Sequence, residues 1–324
     1  MNPERRDSLF APLNAAKGLL IAVSGGPDST ALLWLAAKWA RKSKIPISAA
    51  TVDHGLRPES AGEAATVARL SEKLGLAHAT LVWTGEKPKT GLPERAREAR
   101  YALLADHARS IGADTIVTGH HLDDQAETVL MRLLRGSGVA GLAGMAAISE
   151  RDGLRIARPL LEVSKAELIA CCDEAGLRYF EDPSNRDPKF TRARLRQMLA
   201  EEGMDARALA RLARRAARAE DALKALTEAA EARLGLVAKL TCRIDDLAGE
   251  PGEIALRLLA AAIAKVGGRE ARRLGLEKIE ALADGLVEAH RKREPFNANV
   301  GGASVKLTRA GLLEVAPEAP RRNG

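Results

Sequence analysis

Ser24-Gly25-Gly26-Pro27-Asp28-Ser29 places two adjacent glycines, two hydroxyls and one carboxylate directly after the apolar run 19–23. The residues beyond it, Thr30-Ala31-Leu32-Leu33-Trp34-Leu35, have helical composition. A strand, a glycine turn and a helix start expose backbone N–H groups at the positive end of a helix dipole. Such a turn cradles phosphate. It holds no lysine, unlike the Gly-Lys-Ser/Thr loop of ordinary ATPases, so its hydroxyls and Asp28 suit a pyrophosphate with its magnesium. Asp28 and Ser29 are also good helix caps, but paired glycines after a buried strand favour the phosphate reading.

The densest run of titratable groups is Thr118-Gly119-His120-His121-Leu122-Asp123-Asp124-Gln125-Ala126-Glu127-Thr128. Asp124 and Glu127, three apart, share one helix face. Together they suit a metal or an ammonium group, and His120 and His121 stand where phosphate would pass. Acidic capping of a helix start is the plainer reading, yet the cluster exceeds what capping needs. A zinc site lacks a further set of neutral ligands. Val52-Asp53-His54-Gly55-Leu56-Arg57 ends a second apolar run and can line a nucleoside pocket, with Arg57 in reach of phosphate. Arg97, Arg100 and Tyr101 share a helix face that is either solvated or in contact with base and phosphate. Arg192, Arg194 and Arg196, with Arg207, Arg211, Arg214, Arg215 and Arg218 downstream, are either a solvated helix face or a phosphate-contacting stripe. Gly136-Ser137-Gly138-Val139-Ala140-Gly141 matches GxGxxG, but it follows a helix rather than a strand, so the dinucleotide-binding context is missing. It reads as an active-site loop.

The elements that must position these groups alternate. Strands are expected at 19–23, 47–53, 78–83 and 114–119, and helices at 28–41, 60–74, 93–110 and 122–135. Ser60 and Glu63 have the spacing of a capping box, and Pro93 suits a first helical turn. Repeated β-α units imply an α/β fold whose parallel sheet is covered on both faces. Ligands on such sheets bind beyond the C-terminal strand ends, where residues 24, 53 and 119 converge. A short strand at 155–157, a helix at 164–175, a turn at Asp182–Asn185 and a strongly helical stretch from 189 to 234 follow. Helices at 252–266 and 274–290 and short strands at 303–307 and 311–315 complete the pattern. The expected domains are a catalytic domain, 1–203, a mainly helical domain, 204–318, and a disordered tail, 319–324. Gly85–Gly91 and Gly136–Gly144 are the loops expected to order on ligand binding.

The chain of 324 residues is 46% apolar and only 3% aromatic, with a net charge of +7. Scarce aromatics argue against a wide stacking platform for single-stranded nucleic acid; the positive charge hints at a polyanionic partner. Three cysteines, Cys171, Cys172 and Cys242, form no CxxC pair, so neither a disulfide framework nor an iron–sulfur site is encoded. With no signal-like leader and no membrane-length apolar run, a cytoplasmic protein without a membrane partner is expected. A helical second domain can pack within or between subunits, which leaves a homodimer open.

In this order the motifs resemble the tRNA(Ile)-lysidine synthases, N-type ATP pyrophosphatases of the PP-loop superfamily. The resemblance rests on Ser24–Ser29, Val52–Arg57, Ala96–Tyr101, His120–Thr128, the loop 136–144, Asp182–Asn185 and Arg192–Arg196. It departs at Ala193, where the family's basic motif usually carries Asn. It implies a parallel-sheet PP-loop domain, adenine nucleotide alpha hydrolase-like, followed by a mainly helical substrate-binding domain. The implied activity is that of an ATP-dependent carbon–nitrogen ligase. ATP adenylates C2 of the wobble cytidine in the CAU anticodon of tRNA(Ile), and free L-lysine then attacks to form lysidine, changing decoding from AUG to AUA. The resemblance implies that Ser24, Gly25, Gly26, Pro27, Asp28 and Ser29, with Asp53, His54, Arg57 and Gly119, hold ATP. It implies a magnesium ion at Asp28 and Asp123, and lysine's ammonium groups at Asp124 and Glu127. Asp28, His120, Asp124, Glu127 and Arg100 become the catalytic set, and Arg97, Arg192, Arg194 and Arg196 the RNA contacts. A cytidine thiolase on the same fold would be expected to use cysteines. A small-molecule ligase of this superfamily would leave the arginine-rich half unexplained. A non-catalytic ATP-binding RNA-binding protein would have no need of the 123–127 carboxylates.

Overall fold

Every residue of the run Leu19-Leu20-Ile21 is at most 1% exposed, because it forms a strand covered on both faces. The structure is a computed structural model that describes residues 1–55, 59–84, 90–180, 189, 191–268 and 274–319. Arg57, the turn at Asp182–Asn185 and residues 85–89 of the first expected loop lie outside the described residues. The chain divides into two compact units: Met1–Arg135 with Ala143–Ala213, and Gly136–Leu142 with Arg214–Gly324. That division falls ten residues beyond the expected boundary at 203/204.

In chain order the elements up to the division are α1 (Pro3–Phe10), β1 (Leu19–Ala22), α2 (Pro27–Ala40), β2 (Ile47–Asp53), α3 (Ser60–Lys73), β3 (Ala77–Val82), α4 (Leu92–Ser110), β4 (Thr115–Val117), α5 (Leu122–Leu133), the single turn α6 (Val139–Leu142), β5 (Ile148–Arg151), β6 (Leu154–Ala157), α7 (Lys165–Glu174) and α8 (Thr191–Glu201). The sheet of the first unit has the order β3-β2-β1-β4-β6-β5. Its first five strands are parallel, and β5 is antiparallel to β6. Successive residues of a strand face opposite sides. Leu19 and Ile21 therefore enter one core with Leu32, Leu33, Leu168 and Cys172, while Leu20 enters the other with Tyr101, Leu104 and Ile156. Each fully buried Leu contributes about 1.5–3 kcal/mol, so the two layers hold the strand ends in place.

Four local expectations are corrected. Ser60 does not cap α3; it is the first helical residue, and its hydroxyl donates to Asp53 Oδ1 at 2.6 Å. The bond to an ionised carboxylate is charge-assisted and holds the start of α3 to the end of β2. The unexpected strand β5 pairs with β6 through Asp152-Gly153, with φ 52° and 75°. Both turn residues are left-handed, as a type I′ hairpin requires. The helical stretch from 189 breaks after Glu201, where Gly203 takes φ 60°. The loop 136–144 contains the turn α6.

The second long helix, α9 (Ala206–Leu234), runs on past the division point. It is followed by α10 (Leu236–Lys239), β7 (Thr241–Arg243), α11 (Ile244–Ala248), α12 (Gly252–Gly267), α13 (Leu276–Lys292), β8 (Phe296–Val300), β9 (Ala303–Leu307) and β10 (Leu312–Pro317). The second unit is helical, as expected, but it also carries a four-stranded antiparallel sheet of order β7-β10-β9-β8. β7 and β8 were not anticipated. The hairpin β8–β9 turns on Gly301-Gly302, both left-handed. Among the described residues no helix is long and apolar enough to cross a membrane.

The helix α7 does have a reciprocal capping box: Glu167 N–H donates to Ser164 Oγ, and Glu167 Oε2 accepts from Ser164 N–H at 3.0 Å. Burial would raise the Glu167 pKa, but the bonds from Ser164 and Arg5 outweigh it and hold it at about 2, below the ordinary 4.5. A depressed carboxylate stabilises the fold above its unfolded pKa and loses that effect as pH falls through its folded one. The melting temperatures of Glu167→Gln and the natural protein should therefore differ above pH 4.5 and converge as pH approaches 2; thermal scans across that range check this.

Candidate active site

Beyond β1 the chain turns through Ser24-Gly25-Gly26 into α2. Gly25 takes φ 84°, which only glycine adopts freely, and a Cβ there would lie 3.1 Å from the Phe180 ring. Gly26 is the N-cap and brings no side chain to it. The positive end of α2 is thus left for an anion. Ser29 Oγ braces the loop: it accepts from Ser24 N–H and donates to Gly26 O, both at 3.1 Å. Phe180 N–H closes the other side on Gly25 O at 2.9 Å.

Strand order reverses between β1 and β4, the place where open parallel sheets bind ligands. After β4 comes Gly119. A Cβ there would lie 3.2 Å from Asp28 C and Ser29 N, so glycine lets this turn lie against the start of α2. Next, His121 is only 2% exposed and sits among three carboxylates. Its Nε2 lies 3.4 Å from Asp28 Oδ2 and 3.5 Å from Asp124 Oδ2, and its Nδ1 lies 3.4 Å from Asp123 Oδ2. Burial pulls its pKa down, but the bonds to Asp123 and Asp28 and the Asp124 charge outweigh that and lift it to about 10. The Asp123 N–H also approaches Nδ1, at 3.2 Å. A neutral ring could accept there; three carboxylates favour the imidazolium, which donates from both nitrogens.

Neighbouring His120 has the opposite fate. Burial, then the charges of Arg158, Arg97, Arg100 and Arg192, hold it neutral with a pKa of about 3. Its Nδ1 lies 2.8 Å from Thr118 Oγ1. Arg97, Arg100 and Arg151 stand 5.2, 5.5 and 4.6 Å from the centre of the Tyr101 ring, and burial lowers the Arg100 pKa. Arg97, Arg100 and Tyr101 form a cationic wall of one cavity of about 1090 Å³. Ligand pockets usually enclose about 300–1,000 Å³, so a nucleotide leaves room for a second reactant.

Of the expected site residues, Ser24, Gly26, Pro27, Asp28, Ser29, His54, Arg97, Arg100, Gly119, His120, Asp124, Arg192 and Arg196 line the cavity. Gly25 shapes the loop from behind. Asp53 does not line the cavity; it accepts from Gly55 N–H at 2.8 Å and from Ser60, holding the turn after β2. Asp123 accepts from Lys165 N–H at 2.8 Å and from His121, whose bond is the main reason its pKa is lowered. Glu127 is 0% exposed, and its Oε1 accepts from Arg196 Nε. Burial pushes its pKa up, and Arg196 opposes the rise. Arg194 turns away to Lys189 O and Thr191 Oγ1. Lys165 and Arg135 line the cavity and were not anticipated, nor was the charge of Arg158 beside His120. Lys165 and Arg158 follow a parallel strand at the ligand edge of the sheet, and that position was the available signal.

Among the described residues no three His, Cys, Asp or Glu side chains are placed to hold a metal. Asp28 Oδ1, however, is buried without a hydrogen-bond partner among the described residues. That fits a magnesium ion that arrives with phosphates and takes most of its oxygens from them and from water. Asp123, shared between His121 and Lys165, has less to offer it.

The PP-loop domain family matches residues 3–203. A tRNA(Ile)-lysidine synthase of Bradyrhizobium sp. is 48% identical over 98% of this chain and 94% of its own length. One from Rhodopseudomonas palustris is 49% identical over 97% and 94%. The chain belongs to the tRNA(Ile)-lysidine synthase family. Its fold is that of PP-loop enzymes: a U34-tRNA thiolase from Methanococcus maripaludis superposes with a TM-score of 0.55 at 17% identity, covering 65% of this chain and 78% of the other. The glycine turn and the reversal between β1 and β4 both lie within the matched PP-loop domain.

Two outcomes follow from this geometry. The His120 ring should show no protonation step between about pH 5 and 8 when its resonances are followed by NMR in the ligand-free protein, unlike an ordinary histidine. Gly119→Ala should move the 119 turn off the start of α2 by a few tenths of an ångström and lower kcat/KM for ATP by less than the roughly 10²-fold that a 1 Å displacement costs, with the melting temperature reported beside it.

Proposed function

We propose that the protein joins free L-lysine to C2 of the wobble cytidine in the CAU anticodon of tRNA(Ile), using ATP. The observation that carries this reading is the one cavity in which the phosphate loop, the arginine wall and Asp124 meet. The chemistry divides between these parts. The amides of Ser24–Gly26 and the open end of α2 hold the β- and γ-phosphates. The C2 carbonyl oxygen attacks the α-phosphorus, and the bond to pyrophosphate breaks. Asp28 would hold a magnesium ion, which when bound would offset phosphate charge. Arg100 and Arg97, with neutral His120 donating one hydrogen bond, stabilise charge on the transferred phosphoryl group. The lysine amine then attacks C2, a proton passes to a carboxylate, and AMP leaves with the former carbonyl oxygen.

Asp124 is the α5 carboxylate on the cavity wall that lysine meets; Glu127 is wholly buried. The stripe on α9 offers the tRNA backbone further cations. The thiolase alternative is weakened by the cysteines. All three are buried, and burial raises their thiol pKa values, for Cys172 to about 12 and for Cys242 to about 11. Thiolates are the reactive form.

The test combines purified protein, ATP, Mg²⁺, labelled lysine and tRNA bearing CAU. Label should enter that tRNA alone; equal labelling of every tRNA, or of none, defeats the proposal. Asp124→Asn should raise the lysine KM by about 10-fold or more, the loss of one charge-assisted bond of about 1.5–3 kcal/mol, with a smaller change in the ATP KM.

A further inference from the structure

The two side-chain sets assigned above to different substrates are bonded to each other. α8 lies against α5, and Arg192 and Arg196, one turn apart on α8, face the carboxylates of α5. Arg196 Nε donates to Glu127 Oε1, and its Nη2 lies 3.9 Å from Asp124 Oδ1. Arg192 Nη1 lies 3.8 Å from the same oxygen. Arg196 lines the cavity while Glu127 is wholly buried and does not. A guanidinium therefore stands where an ammonium group would have to go. Glu127 Oε2 meanwhile is buried with no hydrogen-bond partner among the described residues. A buried carboxylate with one satisfied oxygen is costly, and a second cation donor would relieve it.

Both arginines remain reachable from outside, at 41% and 32% side-chain exposure. The long contacts to Asp124 are weak ones for partly exposed groups. A phosphodiester offers a guanidinium a bidentate, charge-assisted alternative. We infer that Arg196, assisted by Arg192, is a positioning residue that keeps Asp124 and Glu127 engaged until RNA phosphate draws it away, so that the lysine site opens when tRNA is bound. RNA and lysine then bind with positive coupling, and the coupling must be reciprocal. The arrangement prevents the enzyme from filling with lysine when there is no base to modify. The inference rests on the lysine-transfer reading above.

Equilibrium dialysis of labelled lysine, without ATP so that nothing turns over, tests it. Adding CAU-bearing tRNA should tighten lysine binding to the natural protein about 10-fold or more, within the usual range for coupled sites. Arg196→Gln should bind lysine more tightly than the natural protein when no RNA is present, and tRNA should then add less than about threefold. Arg196→Lys, which keeps the charge, should restore part of the dependence. Removing Arg196 leaves a buried carboxylate unpaired and could unfold the chain; Arg192→Gln keeps that pair, folds, and should show the same changes at smaller size. An unchanged lysine affinity with and without tRNA, or glutamine variants that bind lysine no better than the natural protein, overturns the inference. If the natural protein still transfers lysine to CAU-bearing tRNA in that case, only the coupling is lost. If it transfers none, the lysine-transfer reading fails first.

Discussion

One buried imidazole holds the site together. His121 lies between Asp28 on α2, Asp124 on its own helix and Asp123, which in turn accepts from the first amide of α7. Three helix starts are joined through one ring. Three carboxylates that close would repel each other with nothing between them. A cation at the centre turns the repulsion into a tether, and removing one partner from such a buried cluster typically costs about 3–5 kcal/mol. The position of the phosphate loop, the reach of Asp124 and the orientation of α7 all depend on it.

The two adjacent histidines show how environment rather than residue type sets chemistry. His121 faces carboxylates and is held as a cation; His120 faces arginines and is held neutral. The same division runs through the cavity. The cavity lining carries Arg97, Arg100 and His120, and of the α5 carboxylates it carries Asp124. A substrate with both a negative phosphate and a positive amine finds a complement on each side. Local electrostatics of that kind favour separated charge in a transition state, because the dipoles are in place before the reaction begins.

Much of the fold was legible because a parallel sheet writes itself into sequence as apolar runs separated by amphipathic helices. β2 starts and ends where expected, and β1 and β4 are shorter by one to three residues at their ends. β5 and β8 were missed although Asp152-Gly153 and Gly301-Gly302 are turn signals, because each strand is short and only partly buried. Ser60 looked like a cap because capping spacing is local, whereas its actual partner, Asp53, lies at the end of the preceding strand. For the site, the glycine loop was legible for the same reason as β1: its chemistry is carried by consecutive residues.

The sequence alone determined that a glycine turn presents backbone amides at a helix start, since glycines, hydroxyls and a missing lysine are properties of a contiguous stretch. It also determined which side chains could serve as the carboxylate pair and as the basic arm. Only the tertiary structure decided how those groups are shared. Spacing on α5 put Asp124 and Glu127 on one face, but packing of α8 covered Glu127 with Arg196 and left Asp124 on the wall. Side chains about seventy residues apart in sequence have no local signature of their pairing. Their distance, burial and charge state are set by which helix covers which, and that is known only when the chain is folded.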